Sequence, residues 1–266
     1  MKIAVIGGGA MGGSLISGWL DKGVEPAKIA VADPALARRQ ELQALGIATY
    51  EDNNEAIAEA QTIVLAVKPQ VAKTVLGQLK GVAGKRIFSI VAGLTTGSIE
   101  EFCPVAVIRA MPNNPCRVGE GAIAICQGKF AGEEDLAAAE ELFAAVGLVV
   151  RVQESQMDAV TGLSGSAPAF IYLVVEALSD GGVLAGLPRD VATKLAAQTV
   201  LGAAATVQKT GLHPAVLKEA VTSPAGTTIS GLAALEKRGV RSAFLEAVLA
   251  ATERSSQLGG TKESAQ

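Results

Sequence analysis

The sequence predicts an α/β protein in two parts, a parallel, doubly wound sheet over residues 1–153 and an all-helical domain over residues 154–266. Short apolar runs rich in β-branched residues alternate with helical patterns through the first part, as in a sheet with crossover helices. A glycine-rich turn follows the first of these runs. After Gln153 no strand-like run occurs, and long Ala-rich helical patterns take over.

The first elements carry the most specific signal in the chain. Strand Lys2–Ile6 enters Gly7-Gly8-Gly9-Ala10-Met11-Gly12, which satisfies G-x-G-x-x-G, and a helical pattern continues to about Leu20. A second strand, Ile29–Ala32, ends on Asp33, about twenty residues after the last glycine of the motif. Strand, glycines, helix, strand and acid in this order are typical of a Rossmann-type dinucleotide site.

Each part of that motif has a physical role. Gly7 permits the tight turn, Gly9 lets the backbone approach the pyrophosphate, and Gly12 lets the helix pack closely on the strand. The free N–H groups and the positive dipole end of the helix then face the phosphates. Asp33 can accept hydrogen bonds from the ribose hydroxyls and would repel a 2′-phosphate, so it favours NADH.

The rest of the first part is predicted to extend the same sheet. Further strands are expected over Thr62–Val67, Arg86–Val91, Val105–Ala110, Ala122–Cys126 and Leu148–Val152, with helices over Pro34–Leu45, Asn54–Ala60, Gln70–Leu79 and Glu133–Val146. Ligands of such sheets bind at the carboxyl ends of the strands. Pro69, Gly93 and the loop Met111–Pro115 follow strand ends and are therefore candidates for lining the cofactor cleft.

The second part is predicted to be an oligomer interface as well as a helical domain. Its predicted helices are Ser155–Gly181, Arg189–Thr210, Pro214–Thr222, Thr227–Lys237 and Val240–Leu258. The segment Leu195–Gln208 carries no charge, and a helix that is apolar on almost all sides is buried, often against another subunit. A dimerisation domain is therefore expected, with a compact monomeric bundle as the alternative.

Composition excludes several classes of protein. A net charge of −3 and a pI near 5.4, without a basic cluster, argue against nucleic-acid binding. The three cysteines lack the spacing of a metal site, which indicates reduced thiols in a cytoplasmic protein and no metal. The uncharged runs Ile3–Leu20 and Ala159–Val175 are broken by glycine or proline, so no membrane span is predicted.

The scarcity of histidine and the absence of a lysine from one segment limit the reactions that the chain could catalyse. His213 is the only histidine, and its place before Pro214 favours capping a turn over abstracting a proton. No Lys or Arg lies between Val152 and Pro188, where a hydroxyacid dehydrogenase of this architecture would place a lysine for the alcohol proton. Alcohol oxidation is therefore disfavoured.

Two turns rich in small residues stand out in the second part. Thr222-Ser-Pro-Ala-Gly-Thr-Thr228 precedes a helix, so its N–H groups and hydroxyls could capture a carboxylate without a cation. An ordinary Ser/Thr cap is the alternative reading of that turn. Gly162-Leu-Ser-Gly-Ser-Ala-Pro168 predicts a glycine-rich kink where a helix passes close to another backbone or a ligand.

Taken together, these segments resemble the pyrroline-5-carboxylate reductase family over essentially the whole chain. The segments that carry the resemblance are Ala66-Val-Lys-Pro69, Asp158-Ala-Val-Thr-Gly-Leu-Ser-Gly-Ser-Ala-Pro-Ala-Phe170, Asp180-Gly-Gly182, Gly186-Leu-Pro188 and Leu217-Lys-Glu-Ala-Val-Thr-Ser-Pro-Ala-Gly-Thr-Thr228. The resemblance implies reduction of the cyclic imine 1-pyrroline-5-carboxylate to L-proline with NADPH or NADH. It also implies homodimers, which often assemble into larger rings.

The resemblance further implies which residues act. Thr228 would donate a hydrogen bond near the imine nitrogen, and Ser223, Gly226 and Thr227 would hold the substrate carboxylate. The expected cofactor-binding residues are Gly7, Gly9, Ala10, Met11, Gly12, Asp33, Asn53, Ala66, Val67, Lys68, Pro69, Ala92, Gly93, Met111 and Asn113.

The chain departs from the family pattern at three positions. Ala167 and Ala225 stand where glycine is common, and Phe170 where tyrosine is frequent. A methyl at Ala225 restricts the backbone angles of the carboxylate-binding turn, on which the positions of its hydrogen-bond donors depend.

The choice of cofactor stays open between NADP and NAD. Arg38 and Arg39 lie one helical turn beyond Asp33 and could reach a 2′-phosphate, or could form a solvated helix face. We therefore expect both cofactors to work.

Two other functions remain as alternatives. One is a reductase for a different substrate, either another cyclic imine or a hydroxyacid. The other is a nicotinamide-sensing protein without turnover, which would have no need for the hydroxyl-rich turn ending at Thr228.

Overall fold

The computed structural model describes residues 2–259 and divides the chain into two compact units. The first unit contains the chain as far as Ser166 together with the segment that starts at Leu249. The second unit runs from Ala167 to Val248.

One sheet of eight strands forms the centre of the first unit. The strands are β1 (Ile3–Ile6), β2 (Ile29–Ala32), β3 (Ala48–Tyr50), β4 (Thr62–Leu65), β5 (Arg86–Ser89), β6 (Ala106–Met111), β7 (Gly121–Gln127) and β8 (Gly147–Arg151). Their order across the sheet is β3-β2-β1-β4-β5-β6-β7-β8. The first six positions have the strand order that places a dinucleotide at the point where the order reverses, beside β1 and β4.

The sheet is mixed, so the prediction of a parallel sheet is wrong for its last two strands. β1 to β6 pair in parallel, but β7 runs antiparallel to β6, and β8 is parallel to β7. The link from β6 to β7 contains only a short 3-10 turn, Asn114–Val118. A parallel neighbouring strand needs a crossover of a dozen or more residues. The link to β7 is shorter than that, so the chain reverses direction as in a hairpin.

Helices cover both faces of this sheet, which confirms the doubly wound architecture. The helices of the first unit are α1 (Ala10–Asp21), α2 (Leu36–Gln43), α3 (Asn53–Ile57), α4 (Pro69–Gln78), α5 (Thr96–Glu100), α6 (Glu133–Ala144) and α7 (Met157–Val160). One apolar cluster joins the sheet to α1, α2 and α6, and a second joins the opposite face to α3, α4 and α5. Alternate side chains of β1 divide between the clusters, with Val5 in one and Ile6 in the other.

Trp19 anchors α1 in the first of these clusters. Its side chain is fully buried, and its indole N–H donates a 2.9 Å hydrogen bond to the Leu142 carbonyl oxygen of α6. The bond satisfies the one polar group of the indole inside an apolar core.

Two short elements were not predicted, and one predicted helix is wrong. β3 and α5 have only three and five residues, too few to show a periodicity. The continuous helix expected over Ser155–Gly181 is instead α7, a π-helical turn over Thr161–Gly165, and a new helix from Ala167. The π turn overlaps the predicted glycine-rich kink, Gly162–Pro168, and confirms it.

The second unit is built from helices. These are α8 (Ala167–Leu184), α9 (Arg189–Thr210), α10 (Pro214–Ala220), α11 (Thr227–Lys237) and the beginning of α12 (Val240–Gly259). α8 and α9 pack closely because Gly182 faces Ala192, where an added Cβ would lie 3.0 Å from the alanine methyl. A hydrogen bond of 2.8 Å between the Ser179 and Thr193 hydroxyls joins the same two helices.

Much of the apolar surface of these helices is exposed in the single chain. Large side chains such as Leu173, Leu201 and Leu245 are more than half exposed. The helical stretch Glu154–Leu184 is also long and apolar enough to cross a membrane, by length and composition alone. A surface of this kind marks an interaction site rather than an ordinary soluble face.

Candidate functional site

The glycine loop between β1 and α1 can form only with glycines at two positions. Gly7 has φ +98°, and a Cβ there would lie 2.6 Å from the Ala66 carbonyl oxygen. A Cβ at Gly12 would lie 2.2 Å from the Gly7 carbonyl oxygen. These contacts are with backbone atoms, so the loop and α1 can approach β4 only because both side chains are hydrogen.

Gly9 has a different environment, and this difference fits a phosphate group. It is exposed, and a Cβ on it would meet no atom within 4 Å. Gly9 is also the N-cap of α1; no side chain caps this end, and its first turn carries no acidic residue. The N-terminus of α1 is thus open to an anion, as a dinucleotide pyrophosphate requires.

Asp33 lies directly after β2 and is held by the backbone around it. Its Oδ2 accepts a 2.8 Å hydrogen bond from the Gly8 N–H of the glycine loop. Its Oδ1 accepts a 2.9 Å hydrogen bond from the Ala35 N–H. The side chain is only partly buried, so it keeps a solvent-facing edge beside the loop.

A cavity of about 490 Å³ opens over the first turns of α1. Two cations, Arg38 and Arg117, line it together with the polar side chains of Ser17 and Asn114. Arg38 was considered from the sequence only as a possible contact to a 2′-phosphate, and Arg117 was not singled out. The combination of cations and a helix N-terminus makes the cavity electropositive, which suits an anionic ligand.

The other predicted cofactor residues follow the carboxyl ends of neighbouring parallel strands. The residues that follow β4 are Ala66, Val67, Lys68 and Pro69, and those that follow β5 are Ala92 and Gly93. Strand β6 ends at Met111, with Asn113 just beyond it, and α3 begins at Asn53 after β3. Because these strands are parallel, their ends share one edge of the sheet with the glycine loop. The structure thus brings this set together at one edge, and contact with a cofactor stays a prediction.

Asn113 has a structural use of its own. Its side chain donates a 3.0 Å hydrogen bond to the Ser164 carbonyl oxygen and accepts one of 2.9 Å from the Ala122 N–H. Asn113 is 7% exposed, and its two side-chain hydrogen bonds join the β6–β7 loop to β7 and to the π turn. Any cofactor contact from Asn113 would therefore come from its backbone.

In the second unit, the turn before α11 keeps its shape despite the alanine. Ala225 has φ +56°, and among the described residues it is the one non-glycine residue with a positive φ. The chain thus adopts the conformation that a glycine would favour, and the methyl group strains this conformation without changing it. The Gly226 N–H donates a 3.1 Å hydrogen bond to the Ser223 carbonyl oxygen and closes the turn.

The same turn exposes the start of α11. Gly226 is the N-cap, and a Cβ on it would lie 2.3 Å from the Ser223 hydroxyl. No side chain caps this helix, which excludes the ordinary Ser/Thr cap considered above. Thr227 is exposed and Thr228 is partly buried, so both are on the first turn beside free N–H groups. The arrangement can accept a carboxylate.

His213 caps a helix, as expected from its position. Its Nδ1 accepts a 3.2 Å hydrogen bond from the Ala215 N–H at the start of α10. A role in proton transfer is not needed to explain this residue.

A charge pair between buried Arg109 and partly buried Glu154 was not predicted from the sequence. The Arg109 guanidinium on β6 lies 3.3 Å from the Glu154 carboxylate, which also accepts hydrogen bonds of 2.8 and 2.6 Å from the Thr96 N–H and hydroxyl. Burial, with the Glu154 carboxylate as a second cause, raises the pKa of the nearby Cys126 thiol to about 12. These residues are far apart in sequence, so no local pattern could reveal them.

The cysteines are free and buried, and they do not form a metal centre. Within residues 2–259 there is no group of three or more His, Cys, Asp or Glu side chains that could hold a metal ion.

Comparison with models of known protein families gives a match for each of the two parts of the chain. Residues 154–258 match the family model described as pyrroline-5-carboxylate reductase dimerisation. Residues 2–93 match the model described as NADP oxidoreductase, coenzyme F420-dependent.

Full-length relatives agree with these models. A pyrroline-5-carboxylate reductase from Synechocystis sp. is 49% identical over 97% of this chain and 98% of its own length. A structure of a pyrroline-5-carboxylate reductase from Coxiella burnetii is 35% identical, with a TM-score of 0.91 over 98% of this chain and 99% of that chain. A Plasmodium falciparum pyrroline carboxylate reductase structure, with NADP bound, is 32% identical, with a TM-score of 0.88 over 98% of each chain.

A dinucleotide loop on a doubly wound sheet, joined to a helical dimerisation domain, defines an NAD(P)-dependent oxidoreductase that associates with itself. The chain belongs to the pyrroline-5-carboxylate reductase family. This confirms the resemblance drawn from the segments around Thr228 and Pro69.

Proposed function

We propose that this chain reduces 1-pyrroline-5-carboxylate to L-proline with NADPH or NADH, the last step of proline biosynthesis. The observation that carries the proposal is similarity to named pyrroline-5-carboxylate reductases over 97% of the chain, at up to 49% identity among those described. The open glycine loop and the uncapped, hydroxyl-rich turn before α11 supply the two binding functions that this reaction needs.

The chemistry explains why the chain has no strong acid–base pair. A protonated imine is already electrophilic at carbon, so addition of hydride there gives a neutral secondary amine, and the nitrogen keeps its proton. The reduced nicotinamide, when bound, supplies that hydride. The protein then has to orient the imine, for which one hydroxyl is sufficient, because it can accept a hydrogen bond from the protonated nitrogen and then donate one to the lone pair of the amine that forms. We assign this hydroxyl to Thr228.

The substrate carboxylate would be held by the turn itself. Ser223 and Thr227 offer hydroxyls, and Thr227 also offers a free N–H group at the N-terminus of α11. Gly226, whose N–H closes the turn on Ser223, contributes backbone without a side chain beside the carboxylate. The dipole of this helix favours a negative charge there, so no cationic side chain is required. The left-handed backbone at Ala225 supports this proposal, because the turn keeps the positive-φ conformation that a glycine would favour at this position.

We assign the cofactor to the glycine loop and the adjoining strand ends. The proposed binding residues are Gly7, Gly9, Ala10, Met11, Gly12, Asp33, Asn53, Ala66, Val67, Lys68, Pro69, Ala92, Gly93, Met111 and Asn113. We place the boundary between the cofactor and helical domains at residues 153 and 154, which is where the dimerisation model begins.

We further propose that a second copy of the chain covers the apolar surface of α8 and its neighbours, and that such dimers assemble into a larger ring. The stretch Glu154–Leu184 is then an interface helix and not a membrane span, since its π turn and Pro168 interrupt it. A cytoplasmic location is consistent with three free, buried cysteines and with a small-molecule substrate.

The test is steady-state oxidation of NADPH, and separately of NADH, by the purified protein with 1-pyrroline-5-carboxylate. We expect turnover with both cofactors. Thr228→Ala should lower kcat by about tenfold to a hundredfold, because one hydrogen bond to a charged group is lost, while cofactor affinity is unchanged. Thr206→Ala is the matched control, since it removes a hydroxyl that donates to the Gly202 carbonyl oxygen on the exposed side of α9.

The outcomes separate the alternatives. Turnover of other cyclic imines, but not of this one, would change the substrate and keep the class of reaction. Cofactor binding with no turnover of any imine would support a nicotinamide-sensing protein. Full activity of Thr228→Ala would remove this hydroxyl from the mechanism.

A further inference from the structure

Arg117 is a cation that the fold itself does not use. It lies in the short 3-10 turn Asn114–Val118 between β6 and β7, and it is exposed. Its side chain makes no hydrogen bond, ion pair or ring contact with any residue in the described part of the chain, 2–259. The charge and the five N–H donors of this guanidinium are therefore available to a ligand.

The turn that carries Arg117 is held firmly in place. Two side-chain hydrogen bonds of Asn113, at 3.0 and 2.9 Å, fix the beginning of the turn. Cys116 is fully buried, and its carbonyl oxygen accepts a 3.2 Å hydrogen bond from the Gly119 N–H. A Cβ on Gly18 would lie 3.7 Å from the same carbonyl oxygen, so the turn rests on α1. Because Arg117 follows Cys116 directly, only its side chain has to be ordered when a ligand binds.

The Arg117 side chain lines the cavity of about 490 Å³ over α1. Gly9 and Ala10 line the same cavity, so it includes the open N-terminus of this helix. No acidic side chain is among the described residues that line it. An anion bound to the free N–H groups of α1 therefore meets the positive charge of Arg117 as well.

The other cation of this cavity, Arg38, already has a structural use. Its Nε donates a hydrogen bond to the Gly8 carbonyl oxygen, and its Nη1 pairs with Glu41 at 2.6 Å. The guanidinium packs over Gly13 of α1, where the Cβ of any other residue would collide with it. Arg38 thus forms a wall of the cavity, and Glu41 compensates its charge. The charge of Arg117 has no such compensation.

We infer that Arg117 is a cofactor-binding residue whose guanidinium binds the pyrophosphate together with the N-terminus of α1, a role that rests on the proposed function for the identity of the cofactor. A guanidinium can give a phosphate two parallel, charge-assisted hydrogen bonds, which add to the N–H groups and the dipole of the helix. NADH and NADPH have the pyrophosphate in common, so Arg117 strengthens the binding of both by the same factor.

The experiment is calorimetric titration of the purified protein with NADH, with NADPH and with ADP-ribose, which contains the pyrophosphate but no nicotinamide. Arg117→Ala should raise the Kd of all three ligands by one common factor of about tenfold or more, as expected for a lost hydrogen bond to a charged group. Arg117→Glu should raise these Kd values further, because it puts a negative charge beside the pyrophosphate. Both variants should keep the Tm of the wild type, since the exposed Arg117 side chain bonds to none of the described residues.

Lys22→Ala is the matched control. Lys22 is the exposed C-cap residue at the opposite end of α1, about 18 Å along a helix of 12 residues. Its replacement removes the same charge as Arg117→Ala but lies outside the cavity, so the three Kd values should equal those of the wild type.

Several results would overturn this role for Arg117. Unchanged Kd values in Arg117→Ala would do so, as would an equal loss of affinity in Lys22→Ala or a wild type that binds none of the three ligands. A loss confined to NADPH would place Arg117 at the 2′-phosphate instead, and a loss that spares ADP-ribose would place it at the nicotinamide. A protein that needs Arg117 for tight NADH binding but does not reduce 1-pyrroline-5-carboxylate would refute the proposed function and leave the role of Arg117 intact.

Discussion

Two alanine substitutions in the glycine loop should separate its packing role from its binding role. In Gly12→Ala, the new Cβ would lie 2.2 Å from the Gly7 carbonyl oxygen and 3.3 Å from the Ala66 Cβ. A backbone carbonyl cannot turn aside as a side chain does, so α1 must move away from the sheet. Overpacking of this kind costs about 1–3 kcal/mol, and 2 kcal/mol lowers the Tm of a protein of this size by roughly 4–8 °C.

Gly9→Ala should instead weaken cofactor binding and leave stability nearly unchanged. Its Cβ meets no atom within 4 Å, and φ is −61°, which any residue adopts, so we expect the free energy of unfolding to change by about 0.5 kcal/mol or less. The methyl would instead occupy the space in front of the N-terminus of α1. Loss of even one hydrogen bond to the pyrophosphate, about 1.5–3 kcal/mol, would raise the Kd of the cofactor tenfold or more.

The assay combines thermal unfolding, followed by circular dichroism, with calorimetric titration of NADH. Gly97→Ala on α5 is the control, because its Cβ also has open space and it lies outside the loop. If Gly12→Ala were as stable as the wild type, the packing argument would be wrong. If Gly9→Ala bound NADH normally, the backbone of this loop would not approach the pyrophosphate.

Four further predictions concern three other residues of the chain. Ala225→Gly should raise stability by up to about 1 kcal/mol and keep activity, because it relieves the left-handed backbone of an alanine; a lower Tm would contradict this. Glu154→Ala should lower stability by about 2 kcal/mol or more in denaturant unfolding, since Arg109 is left buried without its carboxylate, and an unchanged midpoint would refute the pairing. The Cys126 thiol, with a pKa near 12 in the folded protein against an ordinary 9, should resist alkylation at pH 8 to 9 until the protein unfolds. Because this pKa is raised by folding, the contribution of Cys126 to stability is complete below about pH 9 and is lost as the pH rises toward 12, which denaturant titrations of the wild type and Cys126→Ala at several pH values would show.

Local patterns were sufficient to predict the glycine loop and the acid after β2 at their observed places in the fold. Gly7, Gly12 and Asp33 lie within one strand–turn–helix–strand unit, where each residue type follows from the backbone angle or hydrogen bond that its neighbours require. The helices Arg189–Thr210 and Thr227–Lys237 were also predicted with their observed bounds, since proline and glycine mark their ends.

Features that depend on distant residues could not be predicted in this way. The reversal of β7 follows from the short Asn114–Val118 link, but alternation of strands and helices gives no direction for a strand. The Arg109–Glu154 pair and the hydrogen bonds of Asn113 join segments more than forty residues apart or on different elements. The roles of Ser223, Gly226, Thr227 and Thr228 came from resemblance to a family and remain predictions.

The burial of Trp19 gives this protein a built-in optical probe. It is the only tryptophan in the chain, so its fluorescence reports a single location, the contact between α1 and the Leu142 carbonyl of α6. The signal is confined to the unit that carries the glycine loop, whereas circular dichroism is dominated by helices in both units. Following the two signals through one denaturant titration would therefore reveal whether the nucleotide-binding and helical units unfold together or one after the other.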